Sequence, residues 1–126
     1  MNGKKKILII DDDASLRSVL EDKFSGEGFS VRLAKNGQEG LEIALEEKPD
    51  VILVDILMPV LDGLGMIKEL RQDNWGKEAN VILLSNLDDT TKIAEAAQLG
   101  VFDFLTKQDY KIDDVVKKVK EKLFIS

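Results

Sequence analysis

Two short apolar runs in this chain each end on aspartate. Ile7-Leu8-Ile9-Ile10 runs into Asp11-Asp12-Asp13, and Val51-Ile52-Leu53-Val54 runs into Asp55. An unbroken apolar run of four residues, rich in β-branched side chains, has no polar face to offer solvent. It reads as a strand of a parallel sheet covered on both sides. In open sheets of that kind the ligand crevice lies beyond the carboxyl ends of the strands. The chain therefore sets carboxylates at the edge where chemistry is expected. Like charges held that close repel, and need a cation or shifted pKa values to coexist.

Strand and helix signals alternate along the rest of the chain. Leu16, Val19, Leu20 and Phe24 recur at helical spacing after the first strand, with Asp13 as a cap and Gly26 and Gly28 as the stop. Ser30 to Ala34 reads as a second strand, and Asn36-Gly37 as a turn. Leu41, Ala44 and Leu45 mark a second helix, broken by Pro49-Asp50 before the third strand. Asp62-Gly63 precedes a helix carrying Met66, Ile67 and Leu70, and Asn74-Trp75-Gly76 opens a loop with Trp75 as its apolar staple. Val81 to Leu84 forms a fourth strand ending at Ser85. Ile93, Ala94 and Ala97 mark a helix that stops at Gly100. Phe102 to Thr106 is a fifth strand ending at Lys107, and Ile112, Val115, Val116, Val119 and Leu123 line the last helix. Strict alternation predicts an α/β fold: a five-stranded parallel, doubly wound sheet with five helices and right-handed crossovers. The flavodoxin-like order 2-1-3-4-5 seats the first and third strands side by side, so that Asp11, Asp12 and Asp55 share a pocket. Ser85 and Lys107 come to the same edge.

Length and composition bound the chemistry. The 126 residues, 44% of them hydrophobic, suit one domain spanning 1–126 with a real core. With no cysteine and no histidine, disulfides, thiol chemistry, zinc fingers and a Ser-His-Asp triad are excluded within this chain. Any metal must be held by oxygen, which favours magnesium, calcium or manganese. The net charge of −6 argues against direct nucleic-acid or anionic-membrane binding. The basic start, Met1 to Lys6, leads into only four apolar residues, too few for a signal peptide or membrane span, so the expected location is cytoplasmic.

Taken singly, each site residue has a plainer reading. An aspartate run is commonly a solvated helix cap, Asp55 a turn former, Lys107 one of 18 basic residues, and Phe104 part of the core. The joint placement of Asp11, Asp55, Ser85 and Lys107 at the ends of four different strands decides for function. A carboxylate can attack phosphorus to give an aspartyl phosphate. The step then needs charge neutralised on the phosphoryl oxygens more than it needs proton transfer. Carboxylates for a hard cation, one ammonium and one hydroxyl meet that need without histidine.

The stretches VILVDILMPVLDG (Val51 to Gly63) and ILIIDDD (Ile7 to Asp13) resemble the receiver domain of bacterial two-component response regulators, and the likeness runs from about Lys5 to Leu123. The resemblance is to the single-domain, chemotaxis-regulator-like type. It implies that Asp55 is the phosphoacceptor, that Asp11 and Asp12 hold Mg2+ with Asp55, and that Leu57 lends its backbone carbonyl to the metal. It places Ser85 at the Thr/Ser switch position, with Asn86 following, Lys107 at the invariant lysine and Phe104 at the aromatic switch. It implies a phosphoryl group taken from a sensor histidine kinase or a histidine phosphotransfer protein. The chain would be no enzyme beyond its own phosphorylation and dephosphorylation, would pass its signal to a downstream protein target, and would be a monomer or a phosphorylation-dependent dimer.

Two positions depart from the pattern. Gln108 stands where the family has proline after a cis peptide; a cis bond before another residue costs ~2.5–4 kcal/mol, so Lys107–Gln108 is expected trans. Asn86 replaces a smaller residue. Leu57 and Leu87, two residues beyond Asp55 and Ser85, offer no group to orient water, which predicts slow self-dephosphorylation. The last helix leaves only Phe124-Ile125-Ser126, so a single-domain regulator acting by docking is expected, with Lys117, Lys118, Lys120 and Lys122 as a basic face. The rival readings are a receiver-fold docking module that is never phosphorylated and a flavin carrier. The latter is disfavoured by three aspartates where a phosphate loop would sit.

Overall fold

The structure, a computed structural model, describes residues 3–85, 90–106 and 111–123. The strands are β1 (Lys6–Ile10), β2 (Ser30–Ala34), β3 (Val51–Asp55), β4 (Val81–Ser85) and β5 (Asp103–Thr106). The helices are α1 (Ala14–Gly26), α2 (Gly37–Glu47), α3 (Gly63–Leu70), α4 (Thr90–Gln98) and α5 (Ile112–Lys122), with a 3-10 turn at Gly76–Glu78. The sheet is parallel throughout in the order β2-β1-β3-β4-β5, as the alternating pattern predicts.

The apolar runs are buried for the reason that made them legible. All five residues of β3 and of β4 are buried, as are Ile7 to Ile10 of β1. Side chains alternate across a strand, so the sheet feeds two cores. Leu8, Ile10, Ile52, Val54 and Leu83 pack with Met66, Ile67 and Leu70 of α3. On the other face Ile7, Ile9, Leu53, Ile82 and Leu84 meet Leu20, Phe24, Val115, Val116 and Val119, with Phe24 edge-on to Phe29 at 5.2 Å. β5, at the sheet edge, is only partly covered, and it starts at Asp103 rather than Phe102, which is 73% exposed.

Several helix faces differ from the periodicity. In α1 Val19 is exposed while Leu20 and Phe24 are buried, and Leu45 of α2 is exposed. In α4 Ala96, not Ala94, is the buried residue. A run of small residues leaves the core-facing phase of a helix undetermined, because alanine fits either side. Trp75 does pack against the core beneath the α3–β4 connection. That connection is pinned by Arg71, which donates to the carbonyls of Leu99 (2.8 Å), Gly76 (2.6 Å) and Ala79 (3.0 Å). Burial holds this guanidinium below its usual pKa.

The basic face expected on α5 is largely spent within the molecule. Lys120 meets Glu27 at 2.7 Å, and Lys118 and Lys122 both reach Asp103. Lys23 of α1 pairs with Asp113 at 3.0 Å. Three of the four α5 lysines thus stitch the helix to α1 and β5. Among the described residues, no helix is long and apolar enough to cross a membrane.

Candidate functional site

Strands β1 and β3 lie side by side with Ile10 opposite Val54, so Asp11 and Asp55 leave the sheet at the same level. Asp11 is fully buried, Asp55 is 6% exposed and Asp12 is exposed. One carboxylate oxygen from each of Asp11, Asp12 and Asp55 falls within 4.8 Å of the other two. At that separation two unit charges such as the buried Asp11 and Asp55 repel by roughly 3 kcal/mol at an effective dielectric of about 20. Three oxygen donors, two of them buried, fit a hard divalent cation that keeps part of its water shell.

Each turn around this group is held by the chain itself. The Asp11 N–H donates to the Ala34 carbonyl at 3.1 Å. The Asp11 carboxylate accepts from the Asp13 N–H at 2.9 Å. Asp13 caps α1, accepting from the N–H groups of Ser15 (3.0 Å) and Leu16 (3.2 Å), as its place before an apolar-periodic segment predicts. The guanidinium of Arg17 donates to the Asp11 carbonyl at 2.6 Å.

The segment after Asp55 is gripped at two points. Gly63 opens α3, and its N–H donates to the Ile56 carbonyl at 2.8 Å. A Cβ there would overlap the Asp55 carbonyl oxygen and lie 2.9 Å from Ile56 Cα. The Gly37 N–H donates to the Leu61 carbonyl at 2.9 Å, and a Cβ at Gly37 would overlap that carbonyl. Asn36-Gly37 is therefore not a free turn: Asn36 caps α2, accepting from the Glu39 N–H at 2.8 Å, and Gly37 is its first residue. Between the grips, Leu61 N–H returns to the Pro59 carbonyl at 2.8 Å around Val60, whose φ is 71°. This i to i+2 closure with positive φ is the rarer, strained kind of γ-turn. Val60 and Leu57 face solvent, 80% and 48% exposed.

Ser85 ends β4 next to Asp55, which pairs with Leu84. It is 1% exposed, and its hydroxyl has no hydrogen-bond partner among the described residues. A buried, unsatisfied hydroxyl is costly and uncommon. Phe104, opposite Leu83 on β5, is 41% exposed and is not a core residue. Thr106 pairs with Ser85, so β5 also ends at this edge. Lys107, Gln108, Asn86 and Leu87 lie outside the described residues, and with them the Lys107–Gln108 peptide. The sequence pattern thus brings together Asp11, Asp12, Asp55 and Ser85. The glycine grips and the Arg17 contact escaped it; a glycine at the first position of each helix was the available signal.

A parallel 2-1-3-4-5 sheet with an acidic group beyond β1 and β3 defines a known class of signalling domain, and the comparisons agree. The response regulator receiver domain family matches residues 7–120. A probable transcriptional regulator (ycf27) of Guillardia theta is 39% identical over 107 residues, covering 85% of this chain and 41% of that protein. The receiver domain of the Francisella response regulator 1452 is 34% identical with a TM-score of 0.84, covering 94% of this chain and 96% of that one. The chemotaxis response regulator CheY4 of Vibrio cholerae is 26% identical with a TM-score of 0.87, covering 94% and 98%. The chain belongs to the response regulator receiver family. It spans about two-fifths of the length of the curated relatives it matches first.

Proposed function

We propose that this chain is the phosphoacceptor of a two-component relay and that Asp55 is the residue phosphorylated. An Asp55 carboxylate oxygen forms the new bond to phosphorus. The bond from phosphorus to the donor's imidazole nitrogen, in a sensor histidine kinase or a phosphotransfer protein, breaks and leaves its electron pair on the imidazole. Asp11 and Asp12, with Asp55 and the Leu57 carbonyl, would hold Mg2+, which when bound neutralises charge on the transferring phosphoryl group. Lys107 pairs with a second phosphoryl oxygen as a point charge. The Ser85 hydroxyl donates to a third.

The observation that carries this reading is the pairing of two unlike needs at one edge. Three carboxylates lie together there, and beside them a buried hydroxyl has no hydrogen-bond partner among the described residues. A phosphoryl group with its cation answers both. The aspartyl phosphate then favours a second conformation in which Ser85 and Asn86 move inward and Phe104 turns from its half-exposed position, reshaping the α4–β5 face for a downstream protein. Moving such an equilibrium from 1:99 to 99:1 takes ~5.5 kcal/mol, within reach of a few charge-assisted hydrogen bonds in a dry pocket.

Incubation with magnesium and acetyl phosphate followed by intact mass tests the reading. One phosphoryl gain is expected, abolished by Asp55→Asn and by chelation of magnesium. A wild-type mass that never changes would leave the unphosphorylated docking module as the better account.

A further inference from the structure

Arg17 breaks a local rule. It lies in the first turns of α1, where the helix dipole favours anions and disfavours a cation. It takes no part in the ion pairs found among the described residues. Instead its guanidinium, only partly exposed, donates to a main-chain carbonyl, that of Asp11, at 2.6 Å. The same residue's N–H donates to the Asp13 carbonyl at 3.0 Å. Arg17 therefore holds the Asp11–Asp12 peptide by its side chain and the Asp13–Ala14 peptide by its amide.

Asp12 is the exposed member of the acidic group. Asp11 is tied by its N–H to Ala34 and by its carboxylate to Asp13. The Asp11 carbonyl, the hinge between the buried and the exposed aspartate, is held by Arg17. Without that hold the Asp11–Asp12 peptide can rotate, and the Asp12 carboxylate can swing away from its neighbours to relieve their repulsion.

We propose that Arg17 is a positioning residue for the acidic group: it clamps the Asp11–Asp12 peptide so that the Asp12 carboxylate stays within reach of the cation that Asp11 and Asp55 share. This rests on the reading of that group as a magnesium site, and deepens it. A cation spent on a carbonyl, rather than on a carboxylate, orients the ligands without competing for their charge.

The test is a titration of the whole chain with magnesium alone, followed by the amide resonances of Asp12 and Asp13. Acetyl phosphate labelling and urea unfolding are run on the same samples. Arg17→Met removes the donor and keeps the stem. Arg17→Lys keeps the charge but not the planar fork. Arg17→Met is expected to raise the magnesium half-saturation roughly tenfold, the low end of what groups orienting a metal's ligands contribute, with Arg17→Lys falling between it and wild type. A purely electrostatic role predicts the opposite, because losing a nearby cation tightens binding of another. Tighter magnesium binding in Arg17→Met therefore overturns the proposal. So does a wild-type half-saturation in both variants alongside a lower urea midpoint, which marks a structural role only. Should Arg17→Met fail to fold, a wild-type half-saturation in Arg17→Lys overturns it alone. A wild-type chain that neither binds magnesium nor gains a phosphoryl group would instead overturn the reading of the site itself.

Discussion

Replacing Ser85 by alanine separates the cost of this site from its use. The Ser85 hydroxyl is 1% exposed and unpartnered among the described residues. Leaving a buried donor unsatisfied costs about 1–3 kcal/mol. Ser85→Ala deletes that group and leaves a void of one oxygen atom, so the unphosphorylated chain is expected to gain about 1 kcal/mol in stability. For a domain of this size that is a rise of about 4 °C in Tm. With beryllofluoride and magnesium standing in for the phosphoryl group, the wild-type hydroxyl acquires a charged acceptor, worth about 1.5–3 kcal/mol, and alanine does not. The stabilisation by the mimic is then smaller in Ser85→Ala by about 2 kcal/mol, a difference of about thirtyfold in apparent affinity. Urea unfolding of both chains, with and without the mimic, measures all four states. Two results refute the reasoning: a variant less stable than wild type in the absence of the mimic, or equal stabilisation of the two by it.

Four further outcomes are expected. Gly63→Ala forces a Cβ into the Asp55 carbonyl and the Ile56 backbone, which cannot rotate aside as a side chain does. It should lose about 2–3 kcal/mol and slow acetyl phosphate labelling; an unchanged urea midpoint contradicts the contact. Val60→Gly relieves a β-branched residue at φ 71°. Left-handed backbone costs roughly 1–2 kcal/mol, and the added freedom of the unfolded glycine returns about half of that, so a net gain below about 1 kcal/mol should appear in the denaturation midpoint. Leu57→Asn puts a water-orienting amide at the exposed rim of the pocket and should speed loss of the phosphoryl group, read as the decay of the phosphorylated mass; an unchanged decay rate ends the case for slow hydrolysis by apolar shielding. Glu27 has its pKa lowered by the hydrogen bond from Lys120. A depressed folded value means its contribution is present above the ordinary carboxylate value and is lost as pH falls through the folded one. The stability gap between wild type and Glu27→Gln should therefore close on acidification and shrink in high salt, and a gap constant across that range refutes the assignment.

What the sequence made legible follows from how much physical constraint each segment carries. Ile7 to Ile10, Val51 to Val54 and Val81 to Leu84 are buried on both faces, so almost nothing polar is tolerated and the strands announce themselves. Once three such strands alternate with helices, the topology leaves few choices, and the aspartates that end two of them must converge. The parts that stayed hidden depend on backbone atoms or on partners distant in sequence. Asn36-Gly37 has the composition of a turn, yet it is a helix start pressed onto the Leu61 carbonyl, and no local pattern encodes that approach. Lys118, Lys120 and Lys122 read as a solvated stripe because their partners lie well away along the chain, Glu27 93 residues from Lys120 and Asp103 19 residues from Lys122, in elements whose placement only the fold decides. Arg17 reads as an ordinary helix charge until its guanidinium is found on a carbonyl. The division has a physical reason. Burial of side chains writes itself into residue type, whereas the aim of a catalytic group is set by main-chain contacts, which residue type records only where glycine is demanded. That is why the groups proposed to react at this site could be put forward from the chain alone, while the contacts that hold Asp11 and Asp55 in register could not.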